Sequence, residues 1–303
     1  MSRFTRFSLA AAALAACFAG AAGAQELTGT LKKVKETGTL VLGVRDTSAP
    51  FSYLDDKQQY IGYHIDLCMK VVEAAGKRLG IPVATKLQPV SPATRIPLMA
   101  NGTIDLECGN TTNNLERQQQ VSFGPTTFVT ATRLMSKKAS GINSVADLRG
   151  KGVSSTSGSS NIKLMLTLNT TKNLGMNIAP VVDHGEGMAM LDSGRIAAYA
   201  MDDIILYGMA ANARNPAEYV ISKEPLSVEP YGIMLRRNDP DFKKLVDQAI
   251  TDVFRSGEIN KLYSKWFLSA IPPKGINLNV PMSDTLKGVI AKPTDSGDPA
   301  AYQ

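Results

Sequence analysis

Histidine occurs twice, tryptophan once and cysteine three times in 303 residues. His64 and His184 are far apart, and there is no H-E-x-x-H and no C-x-x-C, so the chain calls for no metal and no cofactor. Also missing are G-x-S-x-G, a P-loop and a G-x-G-x-x-G after a strand, which leaves hydrolase, nucleotide and dinucleotide chemistry without a signature. Beyond residue 24 no apolar run reaches the roughly 18 residues of a membrane-spanning helix. Aromatic residues make up 6% of the chain, and the basic residues form no dense stripe, which argues against a nucleic-acid partner.

The apolar run that does occur lies at the start. Arg3 and Arg6 precede Phe7–Phe18, and Ala22-Gly23-Ala24 stands before Gln25, the layout of a secretory signal peptide covering 1–24. Leu14-Ala-Ala-Cys17 also fits a lipoprotein cleavage box, but Ala-x-Ala sits where cleavage is expected, so release after Ala24 is favoured. Removing two arginines and no acids from a net charge of +6 leaves +4, a mild field that helps steer a small anion. Cys68 and Cys108 are the cysteines left after cleavage; they can pair in an oxidising compartment or stay as buried thiols.

Strand and helix patterns alternate almost throughout, which predicts an α/β fold. Thr39–Val44 is an apolar strand, and Ile65, Cys68, Met69, Val72, Ala75 and Leu79 mark a helix face. Val83–Val90 reads as a strand, and Phe128–Met135 as a segment that crosses between lobes. Further strands are expected at Gly152–Val153, Ile178–Val182, Ile196–Met201 and Tyr231–Leu235, with helices over Asn161–Leu168, Met188–Leu191, Ile204–Ala213, Asp241–Arg255 and Ile259–Phe267. A polar tail is expected from about Ser283.

Polar clusters at Arg45, Ser91–Arg95, Asn110–Thr112, Thr156–Ser159, His184 and Asp202 all fall just past the C-terminal end of a strand. In open α/β sheets that edge is where ligands bind. The stretch Gly102–Arg117 is the most telling: apolar alternation breaks at Cys108-Gly109 into hydroxyl and amide side chains, and Arg117 follows within a helical turn. Its planar fork suits a carboxylate, with Asn110 and Thr112 alongside. Thr156 and Ser157 open a Ser/Gly loop before a helix, a second carboxylate cradle. Asp202 or Asp203 can hold an ammonium group, although either also suits an N-cap. Arg45 and Arg95, if both point inward, repel one another until an anion arrives. His184 can donate to a carboxylate, whereas His64, at a helix start, reads as structural. Together the groups suit a zwitterion, and no nucleophile–base pair stands among them.

Taken jointly, Gly43-Val-Arg45, Pro50–Tyr53, Arg95–Leu98, Asn101–Gly109, Thr111–Arg117, Thr156–Gly158, Asp183–Gly185, Met201–Asp203 and Ile271–Lys274 make the chain resemble the periplasmic solute-binding proteins of polar amino-acid transporters, family 3. The likeness spans Leu31–Leu278 and is strongest to the glutamate/aspartate-binding members. It implies a type II two-lobe periplasmic fold with two crossover strands as hinge and the ligand cleft between lobes. The expected division is 25–131 plus 228–278 for lobe 1, 132–227 for lobe 2 and 279–303 for the tail. Arg45, Arg95 and His184 match residues that hold the ligand's side-chain carboxylate. Arg117, Thr112, Thr156 and Ser157 match the α-carboxylate site, and Asp202 the ammonium partner. Where close members carry a serine three residues before the second arginine this chain has Pro92, with Ser91 alongside, and Asn110 stands for another serine. The implied function is a monomeric periplasmic receptor that captures L-glutamate or L-aspartate for an ABC permease without chemistry. Its rivals are an amide or broad-range amino-acid receptor, an enzyme on the same scaffold and a sensory ectodomain.

Overall fold

A computed structural model describes residues 26–302. The expected signal peptide and Cys17 lie outside the described residues. The chain runs α1 (Gly29–Thr37), β1 (Thr39–Val44), β2 (Thr47–Ser48), β3 (Ser52–Leu54), β4 (Tyr60–Ile61), α2 (Tyr63–Leu79), β5 (Ala84–Pro89), α3 (Arg95–Ala100), β6 (Leu106–Glu107), α4 (Leu115–Gln118), β7 (Val121–Thr130) and β8 (Thr132–Lys137). It continues with β9 (Gly152–Thr156), α5 (Ser160–Thr171), β10 (Asn177–Val181), α6 (His184–Asp192), β11 (Ala198–Asp202), α7 (Asp203–Asn212), β12 (Tyr219–Ile221), β13 (Glu229–Arg236), α8 (Pro240–Arg255), α9 (Glu258–Phe267) and α10 (Asp284–Ala291).

Two five-stranded sheets form the two lobes. The first has the order β5-β1-β6-β13-β7 and the second β10-β9-β11-β8-β12. In each, three parallel strands adjoin antiparallel ones: β1 pairs in parallel with β5 and β6, β9 with β10 and β11, while β13 and β8 run the other way. β1 reads as a continuous apolar run because it is an inner strand, with helices covering the sheet. The sheets are joined where β7 hands over to β8 across Ala131, and β13 carries the chain back.

The helix faces decide the packing. α2 buries Tyr63, Leu67, Val71, Val72 and Ala75 against α8, which turns Phe242, Val246, Ala249, Ile250 and Val253 inward. Met69, expected on the buried face, is 38% exposed, because Tyr63, His64 and Leu67 rotate the covered stripe toward the sheet and α9. Phe51, Tyr63, Phe128, Tyr231 and Phe267 form an aromatic core where β7 and β13 meet α2 and α9. Cys68 on α2 and Cys108 after β6 form a disulfide, which settles the open choice between a bond and free thiols.

The short strands β2, β3, β4 and β12 and the first part of β7 were not expected, and two helices differ from the sequence reading. α6 starts at His184 rather than Met188, because Asp183 caps it by accepting from the Glu186 amide at 2.9 Å. The expected polar tail contains α10, capped by Ser283 and packed on β7 through Leu286 and Val289. A helix of eight residues is too short for its periodic signal to stand out from the flanking polar sequence, and tertiary packing supplies its stability.

Candidate functional site

The C-terminal ends of β1, β5 and β6 in one lobe face those of β9, β10 and β11 in the other. Between them Arg45, Pro92, Arg95, Asn110 and Thr112 meet Ser159, Ser160, Asn161, His184, Met201 and Asp202 around a small pocket. Gly158 lets the lobes approach: at φ +76 it lies against Ala93, whose Cα would stand 2.6 Å from any Cβ there. Thr112 and Ser160 hydroxyls lie 3.4 Å apart across the gap, and Arg117 reaches over to donate to the Gly158 carbonyl at 3.2 Å.

Three guanidinium groups are buried here. Arg45, Arg95 and Arg117 are 2%, 3% and 6% exposed, a placement that is costly without anions. Burial first, and then the neighbouring charge of Arg95, brings both Arg45 and Arg117 down to about 10. Burial also lowers Arg95, which Glu107 opposes from 3.9 Å. Arg45 donates to Asn110 Oδ1 at 3.4 Å, Arg95 to the Asn110 carbonyl at 3.5 Å, and Arg117 to the Thr112 carbonyl at 2.7 Å. Arg95 Nε has no hydrogen-bond partner. Buried donors left over in this way are what a carboxylate would satisfy.

Each acceptor-side feature has a local cause. β9 ends at Thr156, and Ser159 caps α5, accepting from the Ile162 amide at 3.2 Å, so Ser160 and Asn161 present the first turn of a helix to the cavity. His184 opens α6 the same way. Its Nδ1 lies 3.3 Å from Thr156 Oγ1 and 3.1 Å from the Tyr199 hydroxyl, while Nε2 is buried without a partner. Burial, reinforced by Arg45 and Arg95, holds this imidazole well below its usual range, so it is neutral at pH 7 and can donate from Nε2.

Asp202 and Asp203 are separated cleanly. Asp202 occupies the N-cap position of α7 but makes no capping bond. Its Oδ1 accepts from Asn161 Nδ2 at 2.6 Å and its Oδ2 from the Tyr231 hydroxyl. Asp203 turns away to accept from Thr130 Oγ1 at 2.5 Å and Arg133 Nε at 3.0 Å. Burial, then the nearby charge of Glu229, raises Asp202 to about 7. A cation beside it would reverse that rise.

Six of the ten residues expected from sequence line the cavity: Arg45, Arg95, Asn110, Thr112, His184 and Asp202. Arg117 and Thr156 stand immediately behind, buried against Thr112 and His184. Ser91 and Ser157 do not line it. Ser91 closes a turn by accepting from the Thr94 amide at 3.2 Å, and Ser157 is exposed, its amide donating to the Val181 carbonyl at 2.8 Å. Sequence reading took in Ser159 only as the end of the Thr156–Ser159 loop and missed Ser160 and Asn161, although a capping serine before a helix was a usable signal for them. It also missed the fully buried Glu107, which faces Arg95 and accepts from Thr111 Oγ1 at 2.6 Å. Nothing in an alternating strand marks such an acid. His64 is structural: Nδ1 donates to the Gly109 carbonyl, Nε2 accepts from Thr127 at 2.8 Å, and burial lowers it to about 4. Among the described residues no cluster of three His, Cys, Asp or Glu side chains is placed to hold a metal, and no helix is long and apolar enough to cross a membrane.

Comparison with known proteins agrees with this architecture. The chain matches the bacterial extracellular solute-binding proteins, family 3, over residues 40–269. It is 52% identical over 289 residues to an L-glutamate/L-aspartate-binding protein of Pseudomonas aeruginosa, covering 95% of this chain and 96% of the relative. It is 44% identical over 290 residues to a glutamate/aspartate import solute-binding protein of Escherichia coli, again covering 95% and 96%. Among solved structures, an ancestral arginine-binding protein bound to arginine superposes with a TM-score of 0.70 at 28% identity, covering 76% of this chain and 98% of its own. With that match spanning most of both lobes, and relatives aligned almost end to end, the chain belongs to the bacterial extracellular solute-binding proteins, family 3.

Proposed function

We propose that this protein captures L-glutamate, L-aspartate or both outside the cytoplasm and delivers them to an ABC permease, as a binding protein without catalysis. The observation that carries the reading is the charge pattern in and just behind the cavity: the buried guanidiniums of Arg45, Arg95 and Arg117, of which Glu107 faces Arg95, a neutral histidine with a free donor, and Asp202 as the carboxylate in the lining. Two carboxylates and one ammonium group complement it. Arg45, Arg95 and His184 would take the side-chain carboxylate. Arg117 and Thr112, with the chain from Thr156 into the first turn of α5, would take the α-carboxylate, and Asp202 the ammonium. A lining of guanidinium, amide, hydroxyl and imidazole groups supports capture of the ligand over its conversion. The names of the two relatives point to the same ligands.

The N-terminal signal and a disulfide between Cys68 and Cys108 suit an oxidising, extracytoplasmic compartment. The working division is lobe 1 at 25–131 plus 228–278, lobe 2 at 132–227 and a tail at 279–303, hinged where β7 meets β8 and β13 returns. Contacts such as Arg117 to Gly158 would then form as ligand shifts the population toward the closed state. Micromolar or tighter binding, about −8 kcal/mol or better, is expected from such buried charge pairing. A thermal-shift panel of the twenty amino acids at fixed salt, followed by calorimetry, tests the assignment. Glutamate and aspartate should stabilise the protein most; a panel led by glutamine, asparagine or a basic amino acid would overturn it.

A further inference from the structure

The family match stops at residue 269, yet the chain beyond it returns to the binding site. Residues 294–302 lie along β7, where the Thr294 carbonyl accepts from the Thr126 amide at 2.8 Å and the Tyr302 hydroxyl meets Thr126 Oγ1 at 2.7 Å. Asp295 is pinned to Lys243 of α8 at 2.8 Å. From this anchored position the segment holds the loop that carries Arg117. Asn113 Nδ2 donates to the Asp295 carbonyl at 2.8 Å and the Ser296 carbonyl at 3.3 Å, and Gln118 Nε2 donates to the Asp295 carbonyl at 2.9 Å. Gly297 presses on the peptide between Asn114 and Leu115, where an added Cβ would stand 2.8 Å from Asn114 C and Leu115 N. Asn114 is the N-cap of α4, accepting from the Arg117 amide at 2.9 Å.

We propose that residues 294–302 are a positioning strap for the α-carboxylate end of the ligand site. This rests on the reading of Arg117 given above. α4 is a single turn of four residues, too short to persist without outside contacts. The strap supplies them on the side away from the cavity, so Arg117 meets the ligand already placed rather than being ordered by it. Asn113 is the key contact, since its amide donates to the strap while its own amide nitrogen donates to the Pro230 carbonyl of β13 at 2.7 Å.

Two variants test the strap by calorimetry with L-glutamate and L-aspartate, alongside ligand-free melting followed by circular dichroism. One is a chain ending at Lys292, which keeps α10; the other is full-length Gly297→Ala combined with Asn113→Ala. Both should bind each ligand about tenfold or more weakly, by a common factor, at a temperature where the ligand-free protein is fully folded. A synthetic peptide of residues 293–303 should restore the truncated chain toward the full-length affinity. Unchanged affinity in the variants overturns the proposal, as does a loss that the peptide fails to restore. If the truncated chain does not fold, the full-length double variant decides. A parent protein that binds neither amino acid sinks the ligand reading itself, an outcome distinct from equal binding by parent and variants.

Discussion

Lowering the pH from 8 to 6 should weaken amino-acid binding about tenfold, and through one group, Asp202. With the lobes together this carboxyl is buried beside Glu229, with Asp203 next in the chain, and is raised to about 7 despite hydrogen bonds from Tyr231 and Asn161. An ammonium group against it stabilises the ionised form, so the ligand must meet a deprotonated Asp202. At pH 6 only about one molecule in ten carries that form, and apparent affinity falls by the same fraction. Binding at pH 6 should therefore release close to one proton. His184 does not confuse the window, because burial together with Arg45 and Arg95 keeps it neutral throughout. The measurement is calorimetry at pH 6 in two buffers of different ionisation enthalpy, with Asp202→Asn as the control whose affinity is weaker but flat with pH. The same group acts on folding with a definite sign. Between its ordinary 3.8 and about 7 the folded, ligand-free protein holds a proton that the unfolded chain has lost, so stability falls as pH rises through that window. Asp202→Asn escapes this loss and should be more stable than the parent at pH 8 without ligand, a difference that shrinks as the pH falls. Heats at pH 6 that are independent of the buffer, or an Asp202→Asn variant that keeps the parent's pH profile, would refute the reasoning.

The remaining predictions separate the ends of the ligand and the scaffold. Arg117→Ala should weaken every amino acid alike by about 3 kcal/mol, over a hundredfold, since it leaves a buried carboxylate unpaired; calorimetry with glutamate, aspartate and glutamine reads this. Arg95→Met should cost glutamate at least ten times more affinity than glutamine, and equal losses would undo the division of roles between the arginines. Replacing Cys68 and Cys108 together by serine opens a cross-link spanning 40 residues and should lower stability by about 4 kcal/mol, seen as a reduced urea midpoint with a slope that rises as the unfolded chain expands.

The site was readable to the extent that its chemistry sits at strand ends. Arg45 follows β1 and His184 follows β10, and the rule that ligands gather at such edges needs only the periodicity of the strands. Arg117 was readable from its spacing to the Thr111–Thr112 hydroxyls within one motif. Asp202 and Asp203 were not separable, because both satisfy the local preference for an acid at a helix start; the choice is made by Asn161 and Tyr231, which come from other parts of the chain. Glu107 was invisible for the same reason, as its partner Arg95 is brought beside it by the pairing of β1 with β5 and β6. Ser91 and Ser157 show the opposite error: they have the right residue type in the right loops, but the turns they close face them elsewhere.

Local order in this protein follows from the sequence alone: the alternation of strands and helices and the supply of arginine, hydroxyl and carboxylate groups at loop positions follow from nearest-neighbour chemistry and periodicity. Tertiary structure decided which of those groups face one another, whether the two cysteines join, and that residues beyond α10 come back to brace the loop of Arg117. The physical reason is that burial and charge act through space: a guanidinium acquires its cost, and a carboxyl its proton, only when distant strands close around them.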